Sequence, residues 1–400
     1  IHPTKLHPVV TAEWCHQPNA PTILLYGHYD VQPETPVELW NTPPFEPTII
    51  GGQIIARGVS DNKGMIFAHI KAIQAWLEST GSLPVNVKVI IEGEEEIGSP
   101  NLIPFVEANQ KLLEADMCLI SDNPMFAKDT PSVCTSLRGL GYMEIEATGA
   151  NSDLHSGQHG GTAPNPIHAL ASILTQLKDQ NNRITIPGFY DNVARLSSAQ
   201  KKAFSQLPYS TDKYKEQLGV SDLWCETDYS PLECMWTRPT LDCNGIFGGY
   251  TDEGAKTVIP AKASMKVSMR LVDDQDPVTI MKEAKSYIHK LCPSGITLSI
   301  QDDFGYSNPA STDPAHPAVQ AALKALKDTF GKNALLQGEG GSIPIVSELK
   351  RILGIDTVLI GMNLPEDKIH APNEQLSLDN FQKGMETSVR FWENIGMIPD

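Results

Sequence analysis

With 400 residues, 40% of them hydrophobic and 20% charged, the chain has the make-up of a globular protein of two domains or one large one. A formal charge of −17 and a pI near 5.1 exclude the basic patches that nucleic acid requires. No run of about 18 apolar residues is present to cross a membrane, so neither nucleic acid nor a membrane is an expected partner.

The chain opens at Ile1 without a signal-peptide pattern, which reads as a processed or truncated product. "PTILLYGHYD" (21–30) is an apolar run ending in His28 and Asp30. "GMIFAHIKAIQAWLEST" follows Asp61 and sets Met65, Ile66, Ile70, Ile73, Trp76 and Leu77 at helical spacing. "VNVKVIIEGEEE" (85–96) ends in Glu92, Glu94, Glu95 and Glu96, and "DMCLISDN" (116–123) ends at Asp122. Continuous apolar strands covered on both faces, alternating with helices, predict a doubly wound α/β domain with a mixed, mostly parallel sheet.

From about residue 136 to 307 the character changes. "AKASMKVSMRLV" alternates Ala263, Met265, Val267, Met269 and Leu271 with polar residues, as a half-exposed strand of a mixed or antiparallel sheet does. Helical patterns at 166–178 and 278–291 sit beside it. The first pattern then resumes with a helix over 316–330 and the strand of "IDTVLIGMN" (355–363), followed by His370 in "IHAPNE". An inserted smaller α/β domain is the simplest layout: 1–135 and 308–400 form one domain and 136–307 the insertion. Seven cysteines, an odd number without a Cys-x-x-Cys pair, read as free thiols, and cytoplasm is the expected location.

In open parallel sheets ligands bind beyond the carboxyl ends of the strands. His28, Asp30, Glu92, Glu94, Glu95, Glu96, Asp122 and His370 all follow such runs, and Asp61 precedes a helix. Alone, Asp61 is a helix cap, His370 a loop histidine, and the glutamate run a solvated face. Together on one sheet edge, two histidines and several carboxylates suit a pair of divalent cations, whose charge offsets the carboxylate repulsion.

"GHYDVQP", "RGVSDNKG", "EGEEEIGS", "ISDN", "DLHSGQHGG", "KTVIP", "SMRLV", "GEGGSIP" and "HAPNE" come in one order from about residue 20 to the C-terminus. In this the chain resembles the dinuclear zinc metallopeptidase family of aminoacylase, carboxypeptidase G, succinyl-diaminopimelate desuccinylase and the carnosinases. It is most similar to the carnosinase and cytosolic non-specific dipeptidase branch. The resemblance implies two metal ions, zinc or alternatively manganese, with Asp61 bridging, His28 and Asp122 completing one site, and Glu96 and His370 the other. It implies Glu95 as general base, Asp30 as the carboxylate that holds the His28 ring, and a cis peptide after Asp61; Glu94 is then a solvated extra. It also implies that the insertion is a lid that forms a homodimer, with His155 reaching the partner's active site to stabilise the oxyanion. Arg270 matches the residue that binds a substrate's C-terminal carboxylate, and Thr257, Gly341 and Ser342 match further substrate contacts.

Two departures stand out. The helical segment that relatives carry before the "GHYD" strand is nearly absent, and "QDDFGYSNP" has Asp302, Asp303 and Phe304 where relatives often place a substrate-contacting histidine. The expected activity is hydrolysis of dipeptides or short peptides, with Glu94 or Asp303 as candidates for binding the substrate's ammonium group. The alternatives are deacylation of N-acyl amino acids by the same metals and a non-catalytic metal or peptide binder.

Overall fold

The computed structural model of the protein describes residues 1–302 and 305–398, so Asp303 and Phe304 lie outside the described residues. The four apolar runs become the strands Asn86–Glu92, Thr22–His28, Met117–Ile120 and Asp356–Ile360, adjacent in that order and all parallel. Strands buried on both faces need no polar alternation, which is why the last three read as unbroken apolar runs, whereas Asn86–Glu92 is only partly buried on one face and carries Asn86 and Lys88. They form the centre of an eight-stranded sheet. Val10–Trp14 adds an antiparallel strand at one side; Ser132–Leu137 and Ala310–Ser311 add antiparallel strands at the other, where Leu335–Glu339 pairs in parallel.

Helices cover both faces. Lys63–Thr80, Pro317–Phe330 and Leu378–Gly396 pack on one, around Leu25, Leu119, Ala322, Phe391 and Trp392. Leu102–Ala108 and Pro344–Leu353 pack on the other, around Leu24, Ile120, Val106 and Leu349. The helix after Asp61 buries a narrower face than its apolar spacing predicts. Met65, Ile66, Ala68, His69 and Ala72 face inward, whereas Ile70 is 38% exposed. Small residues let this helix lie close to its neighbours, and His69 ties it down through hydrogen bonds of 2.8 Å to both Ser388 Oγ and Ser121 Oγ.

A second sheet of four antiparallel strands runs in the order Thr240–Gly248, Lys262–Leu271, Gly139–Thr148, Thr297–Gln301. Ala263, Met265, Val267, Met269 and Leu271 are buried as the alternation predicts, beneath Pro166–Gln176 and Pro277–Leu291. The chain passes from the first sheet to the second through a single residue, Arg138, between Leu137 and Gly139. It returns alongside, where Leu140 and Ser307 exchange backbone hydrogen bonds of 2.9 and 3.0 Å. Gly139 suits this close crossing, since a Cβ there would lie 2.6 Å from Ser307 O.

Candidate metal centre and active site

Because the four central strands run in one direction, their following residues meet at one edge of the sheet. His28 is the last residue of its strand and fully buried, and Asp122 stands two residues beyond Ile120. Glu95 and Glu96 lie on the short 3-10 turn Glu95–Ile97 after Glu92; Asp61 precedes the helix Lys63–Thr80. The Asp61–Asn62 peptide is cis, as the resemblance implies.

Two triads result, His28–Asp61–Asp122 and Asp61–Glu96–His370, with the donor atoms of each within 4.8 Å of one another. Asp61 Oδ1 is 3.0 Å from His28 Nε2, and Asp61 Oδ2 is 2.8 Å from His370 Nε2. Asp122 Oδ1 lies 3.8 Å from His28 Nε2, and Glu96 Oε2 lies 3.3 Å from His370 Nε2. Asp30 stands behind the first triad, its Oδ1 3.3 Å from His28 Nδ1, while its Oδ2 accepts from the Glu96 backbone N–H at 2.9 Å. One carboxylate thus orients a ring and anchors the turn that carries Glu95 and Glu96.

The electrostatics follow from this crowding. Burial disfavours a charged His28, but Asp122, Asp30 and Asp61 outweigh it and hold its pKa far above the usual range. Hydrogen bonds to Asp61 and then Glu96 push His370 up to about 10. Burial opposes ionisation of Asp61, yet its bonds to His28 and His370 keep it well below the ordinary carboxylate range. Glu95, half-buried, is pushed up to about 8, first by burial and then by the charge of Asp122.

Several neighbours of the site were not singled out by the sequence. Glu374, in "HAPNE", is fully buried and accepts four hydrogen bonds: from Arg57 Nη1 at 2.8 Å and from the backbone N–H groups of Gly58, Ser60 and Asp61 at 2.9–3.0 Å. It holds the loop that presents Asp61. Gln32 donates to both oxygens of Glu96, and Asn62 Nδ2 donates to Asp122 Oδ1 at 2.9 Å.

Two glutamates of the run turn away from the edge. Glu92 is buried against Tyr26 and Ser99, whose hydroxyls both donate to its Oε1 at 2.8 Å. Glu94 is not the solvated extra expected of it. It is 2% exposed and accepts from the backbone N–H groups of His7 at 2.8 Å and Asn101 at 3.1 Å. Its charge is spent tying the N-terminal segment to the loop before the helix Leu102–Ala108, which leaves no free face for a substrate's ammonium group.

The residues expected to meet substrate fall in two places. Arg270, on Lys262–Leu271, donates through Nη1 to Ser342 Oγ at 2.8 Å, and Gly341 O accepts from the Arg138 backbone N–H at 3.1 Å. His155 and Thr257 lie side by side on an exposed ribbon, where His155 pairs with Val258 and the Ser156 N–H donates to Thr257 O at 3.0 Å. No hydrogen bond links that ribbon to the triads among the described residues.

The comparisons agree with this architecture. The Cys-Gly metallodipeptidase dug1 of Schizosaccharomyces pombe is 34% identical over 388 residues, 95% of this chain and 81% of the relative. The Beta-Ala-His dipeptidase of Homo sapiens is 30% identical over 401 residues, 96% of this chain and 77% of the relative. The M20 family metallo-carboxypeptidase Sso-CP2 from Sulfolobus solfataricus superposes with a TM-score of 0.87 at 33% identity, covering 99% of this chain and 90% of that one. Residues 24–394 match the model of peptidase family M20/M25/M40. A sheet edge crowded with histidines and carboxylates is what such peptidases need, and the chain belongs to that family as a metallopeptidase.

Proposed function

We propose that the protein hydrolyses dipeptides or short peptides, with two divalent cations shared between its triads and Glu95 as general base. The observation that carries this reading is Asp61, whose two oxygens face one histidine each, His28 and His370. His28, Asp61 and Asp122 would hold one ion, and Asp61, Glu96 and His370 the other. Histidine nitrogen and carboxylate oxygen are ligands that zinc takes, so the donor set fits; manganese is the alternative that the carboxylate share admits. When bound, such a pair supplies Lewis acidity, acidifying water and polarising a carbonyl.

The chain's own groups do the rest. Glu95 accepts a proton from water and returns it to the departing amine. Asp30 keeps the His28 ring oriented, and Glu374 keeps Asp61 in place. Arg270 takes the substrate's C-terminal carboxylate, which a planar guanidinium matches in shape, with Gly341 and Ser342 beside it. His155 and Thr257, exposed on their ribbon, serve the site of a second copy, where His155 stabilises the oxyanion. The protein is accordingly a cytoplasmic homodimer, with 136–307 as lid and dimerisation domain and 1–135 with 308–400 as catalytic domain. The relatives' names, one a Cys-Gly and one a Beta-Ala-His dipeptidase, support an unblocked dipeptide as substrate.

The test is turnover of free dipeptides beside their N-acetyl and N-succinyl counterparts, with zinc and then manganese and with Glu95→Gln as control. Hydrolysis of the free dipeptides, lost in the control, is expected. Preference for the acylated compounds would replace this reading by deacylation, and metal binding without turnover of either would leave a binding protein.

A further inference from the structure

Arg138 is the one residue between the last strand of the first passage through the large sheet and the first strand of the second sheet. From that joint it holds three consecutive residues of the loop beside Arg270. Its Nε donates to Gly340 O at 2.9 Å, its backbone N–H donates to Gly341 O at 3.1 Å, and its backbone carbonyl accepts from Ser342 Oγ at 2.5 Å. A weaker bond of 3.5 Å from Nη1 reaches Arg238 O. The loop is shaped for this side chain: a Cβ at Gly340 would lie 3.0 Å from Arg138 Nη2 and 3.1 Å from Met235 O.

The hydroxyl of Ser342 connects the two arginines. Its single proton goes to the Arg138 carbonyl, so its lone pairs face Arg270 Nη1, which donates to it at 2.8 Å. Glu339 is the negative charge that acts on both guanidiniums, and its Oε1 is itself occupied by the N–H groups of Gly340 and Gly341. Burial, and then the charge of Arg270, bring the pKa of Arg138 down to about 10, which leaves it protonated at neutral pH. Asp242 also acts on Arg138 but pairs with Lys178 at 3.7 Å, so Glu339 is the one carboxylate that the two guanidiniums share, an arrangement that a substrate's terminal carboxylate would complete.

We infer that Arg138 is a positioning residue for carboxylate recognition: it clamps Gly340–Ser342 from the joint between the sheets and thereby sets where Arg270 meets the substrate's C-terminus. This rests on the proposed function, including the role given there to Arg270. Arg138 does not touch the substrate, and it acts through Ser342 and Arg270. Its backbone contacts survive substitution by alanine or lysine, so these variants test the side-chain bonds, the one to Gly340 O at 2.9 Å and the weaker one to Arg238 O.

The experiment compares a free dipeptide with the same dipeptide amidated at its C-terminus, in the metal-loaded full chain. Wild type is expected to favour the free acid through KM. Arg138→Ala raises KM for the acid about tenfold, the factor that corresponds to about 1.4 kcal/mol, near the net worth of one hydrogen bond, and leaves KM for the amide and kcat for both little changed. Arg138→Lys, which keeps the charge without the fork, shifts KM less, and it carries the same test should the alanine variant not fold. Arg270→Ala abolishes the preference for the acid, and adding Arg138→Ala to it changes the acid-to-amide ratio no further. Equal losses on acid and amide in Arg138→Ala, or additive effects in the double variant, would overturn the inference in favour of a purely structural arginine. A wild type that cleaves acid and amide alike would instead remove the role of Arg270, and one that cleaves neither would remove the dipeptidase reading; the inference falls with either.

Discussion

Replacing Glu374 isolates the part of the site that no metal ligand supplies. Its Oε1 takes the N–H groups of Ser60 and Asp61, and its Oε2 takes Gly58 N–H and the buried Arg57 guanidinium. Glu374→Ala strands Arg57 without a counter-ion, which costs about 3–5 kcal/mol in the interior. Each orphaned backbone donor adds about 1–3 kcal/mol, less where water enters the vacated space. A loss of at least about 4 kcal/mol is therefore expected in urea unfolding of the metal-free protein. Glu374→Gln is the sharper variant. Its remaining oxygen faces Arg57, so its amide must face the N–H groups of Ser60 and Asp61, donor against donor. Stability falls by about 2–4 kcal/mol, and metal affinity falls roughly 10–100-fold because Asp61 is displaced. Affinity is read by competition with a chromogenic chelator. A Gln variant within about 1 kcal/mol of wild type, with unchanged metal affinity, would refute the claim that this carboxylate holds Asp61 in place.

Two further outcomes follow from buried groups away from the metals. Burial lowers the pKa of His69 to about 3, below the ordinary value near 6.5, so the unfolded chain takes up a proton that the folded one refuses. Its stability contribution is complete above about pH 6.5 and is lost as pH falls towards 3; by about pH 5 the loss is about 2 kcal/mol. Wild type should therefore lose about 2 kcal/mol more than His69→Gln between about pH 7 and pH 5, measured by urea midpoints, and equal slopes would exclude His69 as the source. Glu94→Gln removes the charge that gathers the His7 and Asn101 N–H groups. It should lower stability by about 1–3 kcal/mol while leaving the ratio of free to N-acetylated dipeptide turnover unchanged, and a changed ratio would restore Glu94 to the substrate's ammonium group.

What could be read from the chain was local. Thr22–His28, Met117–Ile120 and Asp356–Ile360 were visible as apolar runs because burial on both faces writes itself into consecutive residues, and Lys262–Leu271 was visible as strict alternation because only one face is covered. Four of the five triad residues were visible by position: His28 closes a strand, Asp122 and Glu96 stand shortly past theirs, and Asp61 precedes a helix, whereas His370 lies well beyond Ile360 and was visible by its motif. Glu374, Arg138 and Ile70 were not. Glu374 meets Asp61 across 313 residues, and Arg138 meets Gly340 across 202, so neither short segment hints at its partner. Ile70 has the spacing of a core residue, one turn from Ile66 and Ile73, but lies at the margin of the buried face of a helix whose alanines do the close packing.

The glutamate run shows the same limit at single-residue scale. Four carboxylates in five positions look like one problem of repulsion awaiting one positive answer, yet the fold answers them separately. Glu92 takes two hydroxyls in the interior, and its pKa is pushed up to about 7 by burial, against the pull of Ser99 and Tyr26. Glu94 takes backbone N–H groups, which outweigh its burial and lower its pKa. Only Glu95 and Glu96 remain for the edge, where Gln32 and His370 reach Glu96, and no protein donor reaches the Glu95 carboxylate among the described residues. An acidic run is therefore a poor metal signal by itself. The sharing of Asp61 by His28 and His370 is the better one, because two histidines from opposite ends of the chain converge on one carboxylate, one at each oxygen, while Glu374 separately holds the Asp61 backbone N–H.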